Sequence, residues 1–356
     1  MDQERFDIDT GAPALVTGAT GYVAGWIVKG LLDAGMTVHA TVRDAGDERK
    51  RAHLDRLAAD APGTIRYFEA DLLGADAFAE AMQGCRTVFH TASPFTSNAK
   101  DPQAELVDPA RLGTRNVLEE ACRQASVRRV VLTSSCAAIY TDSQDTLDAP
   151  GGRITEEVWN TTASLDYQPY AYSKTMAEKE AWVIAKGQDR WDLVAINPSL
   201  VIGPALQDRP SSESFNIMKM FGNGTFRFGV PNLGIGCVDV RDVAEAHLAA
   251  AFLPRARGRH IVSAHETTFL EMAGVLAERY GDSHPLPTRP VPKFVLKAVG
   301  PLMGLERKFI ERSVDVPWRA DNSKAIRELG LDYLPMKTSL DDMFEHMIET
   351  GMIAKR

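Results

Sequence analysis

Residues 14–25 read Ala-Leu-Val-Thr-Gly-Ala-Thr-Gly-Tyr-Val-Ala-Gly, and the order of residue types in this stretch sets the fold. The apolar run 14–17 has the length and composition of a buried strand. It stops at Gly18, and a helix fits from Tyr22 to Ala34. There Val23, Ile27 and Leu31 recur every four residues on one face, and Gly35 stands just past the end, where a left-handed cap is favoured. Glycine between a strand and a helix allows a tight turn. It also lets backbone amides approach a pyrophosphate at the helix N-terminus, where the dipole favours negative charge. The spacing is G-x-x-G-x-x-A, and Ala24, the third small residue, lets the helix pack close to the strand. Gly18, Thr20, Gly21, Tyr22 and Val23 are the expected contacts. A ligand-free turn of the same composition is the competing reading, so the weight comes from its place at the head of an alternating chain.

Outward from this turn the alternation continues. Segments 37–42 (TVHATV), 64–69 (TIRYFE), 87–91 (TVFHT), 129–134 (RVVLTS) and 192–197 (DLVAIN) are short and rich in β-branched residues. Helical stretches such as 103–125 and 170–186 separate most of them. This pattern predicts an α/β chain with a Rossmann-type doubly wound parallel sheet, which binds ligands beyond the carboxyl ends of its strands. After Asn197 the character changes. Residues 203–236 are rich in Gly, Pro and Ser and predict loops and short elements, Pro285, Pro287, Pro290 and Pro292 crowd the next linker, and the remainder looks mainly helical. The expected division is 12–203 plus 237–265 for the nucleotide domain. Residues 204–236 plus 266–356 then form a smaller, mainly helical substrate lobe.

The end of the second strand distinguishes nucleotides. A chain using NAD would be expected to place an acid there for the ribose hydroxyls. This one has Arg43, with Lys50 one or two turns on. Two cations suit a ribose 2′-phosphate, which Arg holds bidentately, so NADP(H) is the expected cofactor. A solvated charge cluster is the alternative, since 43–56 is charged throughout. Asp71 and Leu72, after the third strand, suit the adenine edge, and an Asp capping the next helix is a nearly equal reading.

Composition narrows the partners. The chain carries 40 Lys and Arg against 48 Asp and Glu, a net charge of −8, which gives no reason to expect nucleic acid or an anionic membrane. No uncharged apolar run reaches spanning length. Cys85, Cys122, Cys136 and Cys237 are scattered, so reduced thiols are expected rather than a disulfide framework. The acidic N-terminus resembles neither a signal nor a transit peptide, and a cytoplasmic location is expected. With eight His and no clustered ligands, no metal is expected.

Tyr170-Ala171-Tyr172-Ser173-Lys174 opens a helical run, which puts Tyr170 and Lys174 one turn apart on one face. A free phenol titrates near 10, and a neighbouring ammonium favours phenolate, so the pair suits acid–base work. Tyr-x-x-x-Lys alone arises by chance in many helices. Ser135 strengthens it, because it ends the strand VVLTSS where ligands bind, and its hydroxyl could polarise a carbonyl. Ser134 is the alternative, although strand alternation points it to the other face. Cys136 has no adjacent histidine base, and His90 reads as a packed core residue.

At these residues the chain resembles the extended short-chain dehydrogenase/reductases. The likeness is closest to the dihydroflavonol reductase and cinnamoyl-CoA reductase group, with the microbial NADPH-dependent carbonyl (methylglyoxal-type) reductases. The pieces that carry it run in family order over nearly the whole chain: VTGATGYVA, ATVRD, EADLL, VFHTASP, GTRNVL, VVLTSS, YAYSKTMAEKEAW, INPSLVIGP, VDVRDVAEAH and DNSKAIRELGL. The resemblance implies Ser135, Tyr170 and Lys174 as a catalytic triad, Arg43 and Lys50 at the 2′-phosphate, and Asp71 and Leu72 at adenine. It also implies Thr91, Ala92 and Ser93 along the cofactor, with Pro198, Ser199, Leu200 and Val201 beside the nicotinamide. Plant dihydroflavonol reductases carry an asparagine five residues after the serine. Tyr140 stands there in this chain and argues against a flavonoid substrate.

The expected activity is therefore hydride transfer from NADPH to an aldehyde or ketone carbonyl, giving an alcohol, and its reverse. Substrate walls are expected from Pro94-Phe95, Tyr140, Phe215, Met218, Phe226 and Phe228, although ordinary packing explains the second-lobe residues about as well. Two rival readings are a nucleotide-sugar epimerase or dehydratase with bound NAD and a non-catalytic NADP(H)-sensing regulator. The expected partner is a small carbonyl or alcohol, and monomer and homodimer are both compatible with the scaffold.

Overall fold

The computed structural model describes residues 8–93 and 99–355. Among them a seven-stranded sheet runs in the order β3-β2-β1-β4-β5-β6-β9, with every neighbouring pair parallel. Its strands are β1 (Ala14–Thr17), β2 (Thr37–Val42), β3 (Thr64–Glu69), β4 (Thr87–His90), β5 (Arg129–Thr133), β6 (Asp192–Pro198) and β9 (Gly258–Val262). The sequence-predicted strands fall within a residue of these bounds. The seventh, β9, was not singled out in the sequence. A smaller sheet joins β7 (Leu200–Ile202), β8 (Gly234–Asp239) and β10 (His265–Thr268), with β7 parallel and β10 antiparallel to β8.

The helices are α1 (Tyr22–Asp33), α2 (Glu48–Asp60), α3 (Ala79–Met82), α4 (Asp108–Arg123), α5 (Ser143–Asp148) and α6 (Pro169–Lys186). Further on come α7 (Glu213–Asn223), α8 (Val240–Phe252), α9 (Phe269–Tyr280), α10 (Lys293–Val299), α11 (Arg307–Ser313) and α12 (Met336–Glu349). Helix α1 packs its Ile27, Val28 and Leu31 side against the sheet and α8, in one core that includes Val16, Val38, Val131 and Val194. The opposite face of the sheet is covered by α4 and α6 over Leu15, Val88, Val130 and Leu193. Apolar side chains of one strand thus serve two cores, as a sheet covered on both faces requires. On that second face Gly113 lets α4 approach the loop after β3: a Cβ there would lie 2.3 Å from Leu72 Cγ.

A separate core forms around Phe215, Met218, Phe221, Met272, Leu276, Met343 and Phe344. It corrects the expectation of only loops and short elements over 203–236, because α7 is an eleven-residue helix. Gly, Pro and Ser dominate the flanks of that stretch. Its middle places Phe215, Met218 and Phe221 three residues apart, a helical repeat that buries one face.

Candidate active site

The strand order reverses between β1 and β4, and the ends of β1, β4, β5 and β6 open on one cavity of about 870 Å³. It is lined by Gly18, Gly21, Tyr22 and Val23 at one end and by Ser135, Tyr140, Tyr170, Lys174 and Pro198 to Val201 further along. A crevice at the point where strand order reverses is where open α/β sheets hold ligands.

At the nucleotide end Gly18 has φ +62, a left-handed conformation, and a Cβ there would lie 3.1 Å from that of Ala92. Gly21 is the N-cap of α1, and no side chain caps that helix, so its first amides remain to serve a ligand. Thr17 ties this end together. Its Oγ1 accepts the amides of Thr91 and Ala92, both at 3.1 Å, and meets His90 Nδ1 at 2.9 Å. The β2 end runs beside the turn, since the Ala19 amide donates to the Thr41 carbonyl at 3.1 Å. Arg43 lies two residues beyond, exposed and outside the cavity lining. Lys50 is held by Asp47 at 3.0 Å in the first turn of α2. Asp71 accepts the Leu73 amide at 2.8 Å in a tight turn rather than capping a helix, and Leu72 packs on α4. The glycine cradle and the uncapped helix start fit a dinucleotide pyrophosphate, and Arg43 is an exposed cation just beyond β2.

At the chemical end α6 begins with Pro169 in its first turn, after Gln168 at φ +54. This sharp entry brings Tyr170 to the cavity, where 36% of its surface is open. Lys174, one turn on, lies with Nζ 5.8 Å from the Tyr170 ring centre and donates to Ser93 Oγ at 2.9 Å. Burial pushes the phenol up to about 12, and the carboxylate of Glu213 adds to the rise. Burial also lowers the Lys174 ammonium to about 8. Desolvation and Glu213 therefore set the direction for Tyr170, and Lys174 is not among the causes of that rise. A phenol that keeps its proton at neutral pH can donate one.

Ser135 faces this cavity from the end of β5, and its Oγ accepts the Ala137 amide at 3.1 Å. Ser134 is 6% exposed and gives its hydroxyl to Glu178 at 2.5 Å, which separates the two serines. Cys136 is buried with Sγ against the Asn197 carbonyl, and burial raises its thiol further from reactivity. His90, buried and lowered to about 3 chiefly by desolvation, packs rather than titrates.

The predicted second-lobe walls need correction. Phe215 is 1% exposed, with its ring edge-on to Tyr22 at 5.1 Å, and Met218 is fully buried beside it. Phe226 packs on Phe221 at 5.8 Å, and Phe228 is exposed under Arg227. Apolar side chains spaced along a helix face were taken up by the lobe's own core. Tyr140 does line the cavity, against Trp318 at 5.8 Å between ring centres. Pro94 and Phe95 lie outside the described residues. Sequence reasoning missed Gln168, Glu213 and Ser212 on the cavity wall. The signal for the last two was Ser212-Glu213 at a helix start.

The profile of the NAD dependent epimerase/dehydratase family matches residues 14–263. The chain belongs to this family. Among curated members, cinnamoyl-CoA reductase CAD2 of Medicago truncatula is 38% identical over 338 residues, covering 94% of this chain and 95% of that one. Anthocyanidin reductase of Arabidopsis thaliana is 36% identical over 278 residues, 75% of this chain and 80% of that one. Of solved family structures, Gre2 of Candida albicans in complex with NADPH superposes with a TM-score of 0.77 at 29% identity, covering 95% of this chain and 99% of that one. The yeast methylglyoxal/isovaleraldehyde reductase Gre2 complexed with NADPH gives 0.76 at 26%, covering 96% and 99%. The epimerase/dehydratase match ends just after β9, the last strand of the large sheet.

Proposed function

We propose that this chain is an NADP(H)-dependent oxidoreductase that reduces an aldehyde or ketone to an alcohol through Ser135, Tyr170 and Lys174. The observation that carries the reading is the single cavity that joins the Gly18–Gly21 turn to these three side chains. Bound NADPH supplies the hydride. Ser135 Oγ holds the carbonyl oxygen and favours the charge that develops on it. Tyr170, protonated at neutral pH, gives its proton to that oxygen. Lys174 then stabilises the phenolate left behind and reaches toward the nicotinamide ribose alongside Ser93. Gly18, Thr20, Gly21, Tyr22 and Val23 cradle the pyrophosphate in this reading. Arg43 and Lys50 hold the 2′-phosphate, Asp71 and Leu72 the adenine, and Thr91, Ala92, Pro198, Leu200 and Val201 the nicotinamide half.

In the division into residues 12–203 plus 237–265 and residues 204–236 plus 266–356, the first would hold the cofactor and the second would close the substrate side with Glu213 and Ile235, opposite Tyr140, Gln168 and Leu200 of the first. The substrate wall comprises Tyr140, Leu200 and Ile235 with Gln168 and Glu213, which suits a small, largely apolar carbonyl compound. Among the described residues no helix is long and apolar enough to cross a membrane; a cytoplasmic setting is part of the proposed reading. A panel of aldehydes and ketones, run with NADPH and with NADH, tests the reading. Turnover with NADPH should fall by about 10²–10⁴ in Tyr170→Phe, with NADPH affinity kept within a few-fold. Wild-type rates in that variant would remove Tyr170 from the chemistry. Tightly held NAD with no carbonyl turnover would favour the nucleotide-sugar route.

A further inference from the structure

Tyr170, Lys174 and Glu178 follow one another at four-residue intervals along α6. The first two line the cavity, whereas Glu178 does not and its side chain is fully buried. Its carboxylate collects donors from two strands, from the residue after a third, and from its own helix. Ser134 after β5 donates at 2.5 Å, Asn197 on β6 at 2.8 Å, Arg259 Nε on β9 at 2.6 Å and Trp182 Nε1 at 3.1 Å. The same Asn197 amide donates to the Ser135 carbonyl at 3.1 Å. Arg259 is also buried. Its Nη1 donates to the carbonyls of Glu156 and Val158 at 2.8 and 2.6 Å, and its guanidinium lies 3.9 Å from the centre of the Trp159 ring.

Burying an ion pair is seldom a gain over apolar packing, because both charges lose their hydration. A carboxylate with this many directional partners fixes orientation as well as filling space. Ser135 and the Tyr170/Lys174 pair sit on different elements, so their mutual geometry depends on how α6 is rotated and seated against the ends of β5 and β6. Glu178 is bonded to both places: to Ser134 directly, and to Ser135 through one Asn197 amide.

We propose that Glu178 is a positioning residue for the reaction, whose buried carboxylate sets the aim of Tyr170 at a carbonyl held by Ser135. This rests on the triad assigned above. Glu178 does not line the cavity. It acts through the seating of the helix and through Ser134, Asn197 and Arg259.

The test uses the full chain with NADPH and one carbonyl substrate. Glu178→Asp keeps the charge and withdraws the carboxylate by about one carbon–carbon bond, ~1.5 Å. A misplacement of that size at a reacting centre should lower kcat by about 10- to 100-fold. The carbonyl KM and the NADPH Kd, read by cofactor fluorescence, should stay within about threefold. Ser134→Ala leaves the Arg259 pair and the charge intact, has its folding checked by thermal melts, and should lower kcat about fivefold, as expected for one hydrogen bond. A merely structural role predicts parallel losses in kcat, NADPH binding and Tm, with activity recovered when assays are run cooler. That pattern would overturn the proposal, as would kcat within twofold of wild type in Ser134→Ala and in folded Glu178→Asp. If wild type reduces no carbonyl at all, the triad assignment fails and takes this proposal with it, an outcome distinct from wild-type turnover that the variants share.

Discussion

Lys174 is held in the fold at a disadvantage that its removal should reveal. Burial lowers its ammonium from 10.5 to about 8. Each tenfold change in proton affinity is worth 1.36 kcal/mol, so the difference corresponds to roughly 3 kcal/mol of folding free energy before allowing for the solvent that still reaches this half-buried side chain. The sign follows from where the proton sits. Below pH 8 the lysine is charged in folded and unfolded chains alike, and the fold carries the whole penalty. Between about 8 and 10.5 the folded chain sheds its proton first, so stability rises with pH, and above 10.5 the penalty is gone. Lys174→Met keeps length and volume without the charge. It loses the hydrogen bond to Ser93, worth roughly 1 kcal/mol, so the expected net gain is at most about 2 kcal/mol at pH 6.5. Urea denaturation without cofactor at pH 6.5, 8 and 9.5 measures it. The variant should be the more stable at pH 6.5 and lose that advantage by pH 9.5, while its carbonyl turnover collapses. A variant no more stable than wild type at pH 6.5, or an advantage constant with pH, would refute the argument.

Three further perturbations probe other parts of the molecule. Arg43→Ala should weaken NADPH binding about tenfold or more while leaving NADH nearly unchanged, read as a change in the ratio of kcat/KM for the two cofactors. Gly18→Ala meets both a left-handed φ and the Ala92 Cβ 3.1 Å away, so NADPH Kd should rise at least tenfold by titration calorimetry while far-ultraviolet circular dichroism stays native. Gly113→Ala drives a methyl into Leu72, where the approach is 2.3 Å. It should lower stability by about 1–3 kcal/mol in thermal melts, without altering the carbonyl KM of the surviving fold.

Much of this site is written in local sequence, because the residues that form it also terminate its secondary structure. Gly18 and Gly21 end a strand and start a helix, Ser135 follows the last residues of β5, and Tyr170 and Lys174 open α6. The misreading of Phe215 and Met218 has the opposite cause. A helical apolar repeat says that a face is covered and not by what, and here the lobe's own core covers it.

The chain alone therefore determined the parallel sheet, the glycine turn and the placing of Tyr170 and Lys174 one turn apart on a helix. Each depends on residues within a few positions of one another, where backbone preference and side-chain period act directly. Tertiary structure decided what depends on distant partners. It separated Ser135 from Ser134 by burying one hydroxyl on Glu178, added β9 beside β6, and raised the Tyr170 phenol through desolvation. It also gathered Asn197 and Arg259 around a single carboxylate on α6. Desolvation and long-range hydrogen bonding have no period along the chain, and they exist only once remote segments have closed upon each other.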